Sequence, residues 1–94
     1  ILIGDIYLLE AAGNYTHIFY LNKKCMIHKT LKQMETSLSD IFFIRTNRQQ
    51  IVNINFIHHV ETHYHGGLTI TLHENKKIYV SHRNAVAIKR LMSI

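Results

Sequence analysis

Short apolar runs, each ended within a few residues by a turn signal, recur along the whole chain, and this rhythm limits the fold more than any other feature. Residues 3–9, 15–21, 25–28, 42–45, 51–54, 57–64, 68–73 and 78–80 are rich in β-branched, aromatic or large aliphatic side chains. These types suit a pleated, half-buried surface. Between the runs stand Gly13-Asn14, Asn22-Lys23-Lys24, His65-Gly66-Gly67 and Glu74-Asn75-Lys76-Lys77, all combinations that turn a chain. Leu68, Ile70 and Leu72 alternate with Thr69, Thr71 and His73, which predicts a strand with one buried face. The connections are too short for parallel crossovers, so mostly antiparallel pairing is expected.

Two segments break the rhythm. Thr30-Leu31-Lys32-Gln33 matches a capping box, and Leu31, Met34 and Leu38 follow at i, i+3 and i+7, one face of a short inner helix. Ser81 can cap a terminal helix that carries Ala85, Ile88 and Met92 on one face. The prediction is a mainly β domain of seven or eight strands with an inner and a C-terminal helix. With 94 residues, it is a single domain, 1–94, with a modest core. At 47% hydrophobic residues the chain should fold rather than stay disordered. No apolar run approaches the ~18 residues of a membrane span. The lone Cys25 cannot form an internal disulfide and fits a reducing cytoplasm. Because the sequence opens on Ile1, a longer polypeptide is expected around it.

Eleven Lys and Arg against six Asp and Glu give a formal charge of +5, a balance suited to a polyanion or an acidic surface. Catalysis finds no support: there is no nucleophile elbow, no Gly-rich phosphate loop and no pair of carboxylates at useful spacing. Histidine is abundant, eight residues, and His59, Glu61, His63 and His65 would share one face of an uninterrupted strand. Imidazoles so placed could bind zinc or nickel. Alternate strand residues stand ~6–7 Å apart, however, which makes tetrahedral closure from one strand difficult, and no metal is expected.

The stretch "FFIRTNRQQIVNI" (42–54) is more informative. Six polar residues, Arg45 to Gln50, separate two apolar runs with no glycine or proline to mark an ordinary turn. Arginine forks can hold phosphate or guanine edges, and Asn and Gln can pair with adenine. The expected arrangement is a loop and strand edge turned outward, anchored in the core by Phe42, Phe43, Ile51 and Val52. Arg45 either joins that outward set or pairs within the domain. "GNYTH" (13–17) and "SHRN" (81–84) offer similar chemistry, the latter at a helix start where free N–H groups favour phosphate. Three such segments in one basic β domain suggest a nucleic-acid face assembled from loops.

These segments, in their order and spacing, resemble the LytTR DNA-binding domain of bacterial response regulators. The likeness rests on "DIYLLEAAGNYTHIF" (5–19), "TLKQMETSL" (30–38), "FFIRTNRQQIVNINFIHHVE" (42–61), "GGLTITL" (66–72) and "IYVSHRNAVAIKRL" (78–91), nearly the whole chain. It implies an elongated fold of small antiparallel sheets, no catalysis and no cofactor. It further implies a cytoplasmic output domain of a transcriptional regulator. Loops of such a domain enter successive major grooves of double-stranded DNA, with promoter repeats bound by two copies and an upstream receiver or other sensory domain. Carried over by position, base reading falls on Thr16, His17, Asn47, Arg48 and Arg83, and phosphate contact on Asn14, Lys29, Thr30, Ser81 and Asn84. The sequence departs from the usual pattern at Asn47, where His is common, and at Gln49 and Gln50, where a small hydroxyl residue and an aromatic are usual. Two other functions fit the composition: a protein-interaction module, and a single-strand binder that uses Tyr15, Phe19 and Tyr20 as stacking platforms.

Overall fold

The computed structural model describes residues 1–38 and 42–92. The strands are β1 (Ile6–Ala12), β2 (Tyr15–Tyr20), β3 (Lys23–Ile27), β4 (Phe43–Asn47), β5 (Gln50–Asn53), β6 (Ile57–Thr62), β7 (Leu68–Leu72) and β8 (Lys77–Val80). Helix α1 (Leu31–Ser37) follows β3, and α2 (His82–Met92) follows β8. Every strand pairing is antiparallel, in a five-stranded sheet of order β3-β2-β1-β5-β4 and a three-stranded sheet of order β6-β7-β8. The molecule is elongated, 37 × 23 × 20 Å.

The five-stranded sheet is covered on both faces. Ile6, Leu9, Ile18, Phe43 and Ile51 meet Leu31 and Met34 of α1 on one side. Tyr7, Leu8, Phe19 and Val52 meet the second sheet and Ala85 and Ile88 of α2 on the other. Strict alternation would send Ile6 and Leu8 the same way. The register between β1 and β2 slips by one residue between them, with Ile6 opposite Tyr20 and Leu8 opposite Phe19. Such a bulge reverses the facing of everything beyond it, so Tyr7 and Leu8 share one core and Ile6 and Leu9 the other. Burial pushes the Tyr7 phenol above its ordinary range, and the nearby Glu74 carboxylate adds to the push.

The inner helix starts as expected. The Thr30 hydroxyl accepts from the Gln33 N–H (3.2 Å), and the Gln33 side-chain oxygen accepts from the Thr30 N–H (2.8 Å). Three expectations need correction. Residues 3–5 form a 3-10 turn, and the first strand begins only at Ile6. His73 belongs to the turn after β7, where Glu74 and Asn75 take positive φ. Phe42 is 46% exposed and does not anchor the polar segment, because neighbouring residues at a strand start face opposite ways and Phe43 takes the core side. Phe43, Ile51 and Val52 are buried as predicted.

Candidate nucleic-acid interface

Antiparallel pairing across the order β3-β2-β1-β5-β4 makes β3, β1 and β4 run in one direction, so their C-terminal ends lie along the same edge. That edge gathers the turn at Gly13 and Asn14 after β1, residues 28–30 after β3, and Arg48-Gln49 between β4 and β5. The end of β8 joins them, since the Asn47 amide donates to the Tyr79 carbonyl at 2.7 Å. Topology thus brings the three polar segments singled out in the sequence to one end of the molecule.

The polar stretch 45–50 is tighter than a loop. Arg45, Thr46 and Asn47 belong to β4, Gln50 belongs to β5, and only Arg48 and Gln49 form the tip. A second slip of one residue falls here, with Arg45 opposite Ile51 and Asn47 opposite Gln50. It sends Arg45 toward α1 and Asn47 toward the second sheet. Arg45 is structural. Its guanidinium donates to the carbonyls of Asn47 and Arg48, both at 2.8 Å, and pairs with Glu35 of α1 at 2.9 Å.

An open cleft of about 860 Å³ lies between the hairpin tip and the start of α2, walled by Arg48, Gln49, Tyr79, Ser81, Arg83 and Asn84. Arg48 and Arg83 are exposed, and among the described residues neither has a carboxylate within salt-bridge distance. Ser81 caps α2: its carbonyl accepts from the N–H groups of Asn84 and Ala85, and its hydroxyl from the Asn84 N–H at 3.4 Å. The Asn84 side chain donates to the Ser81 hydroxyl (3.1 Å) and to the Thr46 carbonyl (3.2 Å), which ties the helix start to β4.

Several residues expected to face DNA are used within the fold. Thr16 is fully buried, and its hydroxyl donates to the Lys29 carbonyl at 2.8 Å. It supports the segment before α1 and has no surface to offer a base, because parity on β2 turns it inward. Asn47 spends both amide hydrogens, on Gln50 and on Tyr79, and accepts from the Gln49 N–H at 2.8 Å. Thr30 is occupied in its capping box and Asn84 in the bonds just described. Asn14, Lys29, Arg48 and Arg83 are exposed, and His17 and Ser81 are half-buried. His17 stands opposite Glu10 on β1, beside Phe19. Glu10 and Tyr79, which also build this end, escaped sequence reasoning, and Gln50 was singled out without its partner. Their proximity depends on pairings 40 and 32 residues apart, and no spacing rule announces those.

The stacking platforms of a single-strand binder are not assembled. Phe19 is buried, with the Lys76 ammonium 4.6 Å and the Lys24 ammonium 5.7 Å from its ring centre. Tyr15 stacks on His28 at 4.5 Å. On the second sheet, His63 bonds the Thr69 hydroxyl at 2.7 Å and stacks on His65. Among the described residues no group of three or more His, Cys, Asp or Glu is placed to hold a metal ion, and no helix is long and apolar enough to cross a membrane.

Known proteins share this architecture. A LytTr DNA-binding domain from Bacillus cereus, described as part of a methyl-accepting/DNA response regulator, superimposes with a TM-score of 0.90. It is 22% identical, and the match covers 100% of this chain and 86% of that one. Sensory transduction protein LytT of Bacillus cereus is 26% identical over 92 residues, 98% of this chain. The chain spans 37% of that relative's length. The family model for the LytTr DNA-binding domain matches residues 1–93, and with a match of that extent the chain belongs to the LytTr DNA-binding domain family, which is not catalytic.

Proposed function

We propose that this domain binds double-stranded DNA sequence-specifically, with the loops at the shared edge entering the major groove, as the output part of a cytoplasmic transcriptional regulator. The observation that carries this reading is the pair of exposed arginines, Arg48 and Arg83, which among the described residues have no carboxylate within salt-bridge distance and stand on opposite walls of one cleft beside the bonded Asn47 and Asn84. A guanidinium can donate two bonds to one guanine, so arginines presented from a braced backbone can read sequence. Arg48, Arg83 and half-buried His17 are the base readers in this proposal, and Gln49 at the exposed tip joins them. Asn14, Lys29 and the α2 start at Ser81 meet phosphate. Asn47, Thr30, Asn84 and Thr16 hold the frame. Further chain, carrying a receiver or other sensory domain, accompanies this single domain, and two copies sit on repeated promoter sites.

Titration of duplex DNA over several salt concentrations tests the reading. With roughly four to six phosphates contacted, log K should fall against log salt with a slope of about −4 to −5. A slope near zero would sink it. Arg83→Ala should cost about 1–3 kcal/mol on the preferred duplex and relax discrimination at one base pair. An equal loss on every sequence would make Arg83 a phosphate anchor instead.

A further inference from the structure

A row of polar side chains crosses the five-stranded sheet just below the loop edge. His17 on β2 stands opposite Glu10 on β1, Glu10 opposite Gln50 on β5, and Gln50 opposite Asn47 on β4. The last three are bonded in series. The Gln50 amide donates to the Glu10 carboxylate at 2.8 Å, and the Gln50 side-chain oxygen accepts from the Asn47 amide at 2.9 Å. The second Asn47 hydrogen goes to the Tyr79 carbonyl at 2.7 Å, and the Asn47 oxygen accepts the Gln49 N–H at 2.8 Å.

The direction of this series is forced. An ionised carboxylate can only accept, so the Gln50 NH2 must face Glu10 and its oxygen must face Asn47. Asn47 must then present its NH2 to Gln50 and to Tyr79, whose carbonyl also can only accept. That leaves the Asn47 oxygen for the tip. Flipping Asn47 would set oxygen against oxygen at Gln50 and at Tyr79, and flipping Gln50 would set oxygen against oxygen at Glu10 and NH2 against NH2 at Asn47.

We infer that Glu10 is a positioning residue for sequence reading: through Gln50 and Asn47 it fixes the orientation of the Arg48-Gln49 tip against β8, and hence the placement of Arg48 relative to Arg83. The inference rests on the proposed DNA reading at this end. Glu10 reads no base itself, and its negative charge at a DNA-facing edge opposes binding by simple electrostatics. Its acceptor, however, orders the two amides beyond it. A carboxylate retained beside a polyanion site for its geometry is distinguishable from one that only repels.

Two substitutions remove the same charge but leave different groups beside Gln50, an amide of the same length or a bare methyl. Glu10→Gln keeps an oxygen for Gln50; Glu10→Ala does not. Both are measured against a preferred duplex and its single-base changes. Glu10→Gln should bind every duplex somewhat more tightly and keep its discrimination. Glu10→Ala should lose about two- to tenfold in discrimination, the scale of one hydrogen bond. NMR of the DNA-free protein supplies an independent readout. The side-chain NH2 signals of Asn47 and Gln50 and the Gln49 backbone amide should hold their positions in Glu10→Gln and move toward solvent-exposed values in Glu10→Ala. If Glu10→Ala matches Glu10→Gln in both discrimination and amide signals, the inference is overturned. If the amide signals respond as expected while even the unaltered protein prefers no duplex, the sequence-reading proposal fails and the orienting role of Glu10 stands.

Discussion

The two edges of the five-stranded sheet are held in different ways. At the β4 edge, polar side chains fasten the hairpin from three directions: Arg45 toward α1, Asn47 toward β8, and Asn84 from α2. At the β3 edge, Lys23, Lys24 and Met26 are exposed, and only Cys25 and Ile27 are half-buried. Among the described residues, the side-chain bond from the sheet to the segment that follows runs from Thr16 to the Lys29 carbonyl. Lysines on an edge strand also discourage pairing with another chain. The difference fits a division of labour in DNA binding. Fixed donors can distinguish bases, whereas long exposed ammonium groups follow phosphate charge at any sequence. In the proposed reading, the braced edge serves specificity and the open edge affinity.

Breaking the frame from beneath should have the largest effect. Ile51 lies under the hairpin at 1% exposure and Met26 on the open strand at 53%. Ile51→Ala should cost about 2–5 kcal/mol in chemical unfolding, from lost burial and the cavity left behind. Met26→Ala should change stability by no more than about 0.5 kcal/mol. Comparable losses at both would show that β3 is as integrated as β5, and the contrast between the edges would collapse.

The same contrast marks what the sequence discloses. Elements resting on local pattern were legible: the Thr30 capping box, the Leu68–Ile70–Leu72 alternation, and the helix beginning at Ser81. The basic open edge was legible too, because charge needs no partner to be recognised. The braced edge was legible only in its composition. Thr46 and Asn47 read as part of one exposed run, with Arg45 either joining it or pairing within the domain, yet the register slip divides the three between α1, the interior and β8. No glycine marks that slip. Thr16 misled for a related reason: its neighbours Tyr15 and His17 are exposed and half-buried, and strand parity alone turns Thr16 to the other, buried face. Which polar residues are spent inside the frame depends on partners as far as 40 residues away, so a list of candidate readers shrinks only once the pairing is known.

A smaller effect should follow from loosening one tie. Arg45→Leu removes three donors and leaves the Asn47 and Arg48 carbonyls without their partners. The cost should be about 1–3 kcal/mol in stability, because the partly buried Asn47 carbonyl that loses its donor is not fully repaid by water. Glu35→Gln keeps Arg45 and removes only the ion pair, whose side chains are 28% and 45% exposed. It should cost less than about 1 kcal/mol, since exposed pairs are screened. Equal losses would make the ion pair the chief tie and the carbonyl bonds incidental. Thermal melts of the two variants at low and high salt separate the cases, because only the ion pair weakens with salt.

The smallest expected effect lies at the open edge and concerns DNA alone. Lys29 is exposed, follows β3, and makes its described bond through its backbone carbonyl, so its ammonium group is free of the frame. Lys29→Ala should leave the unfolding midpoint nearly unchanged, because the carbonyl that meets Thr16 survives the substitution. It should weaken every duplex by a similar factor and make the salt slope shallower by about one unit, the signature of one lost phosphate contact. Measured beside Arg83→Ala on the same set of duplexes, it tests the division of labour directly. If Lys29→Ala changes the preference among sequences, the open edge takes part in reading, and the separation of affinity from specificity between the two edges does not hold.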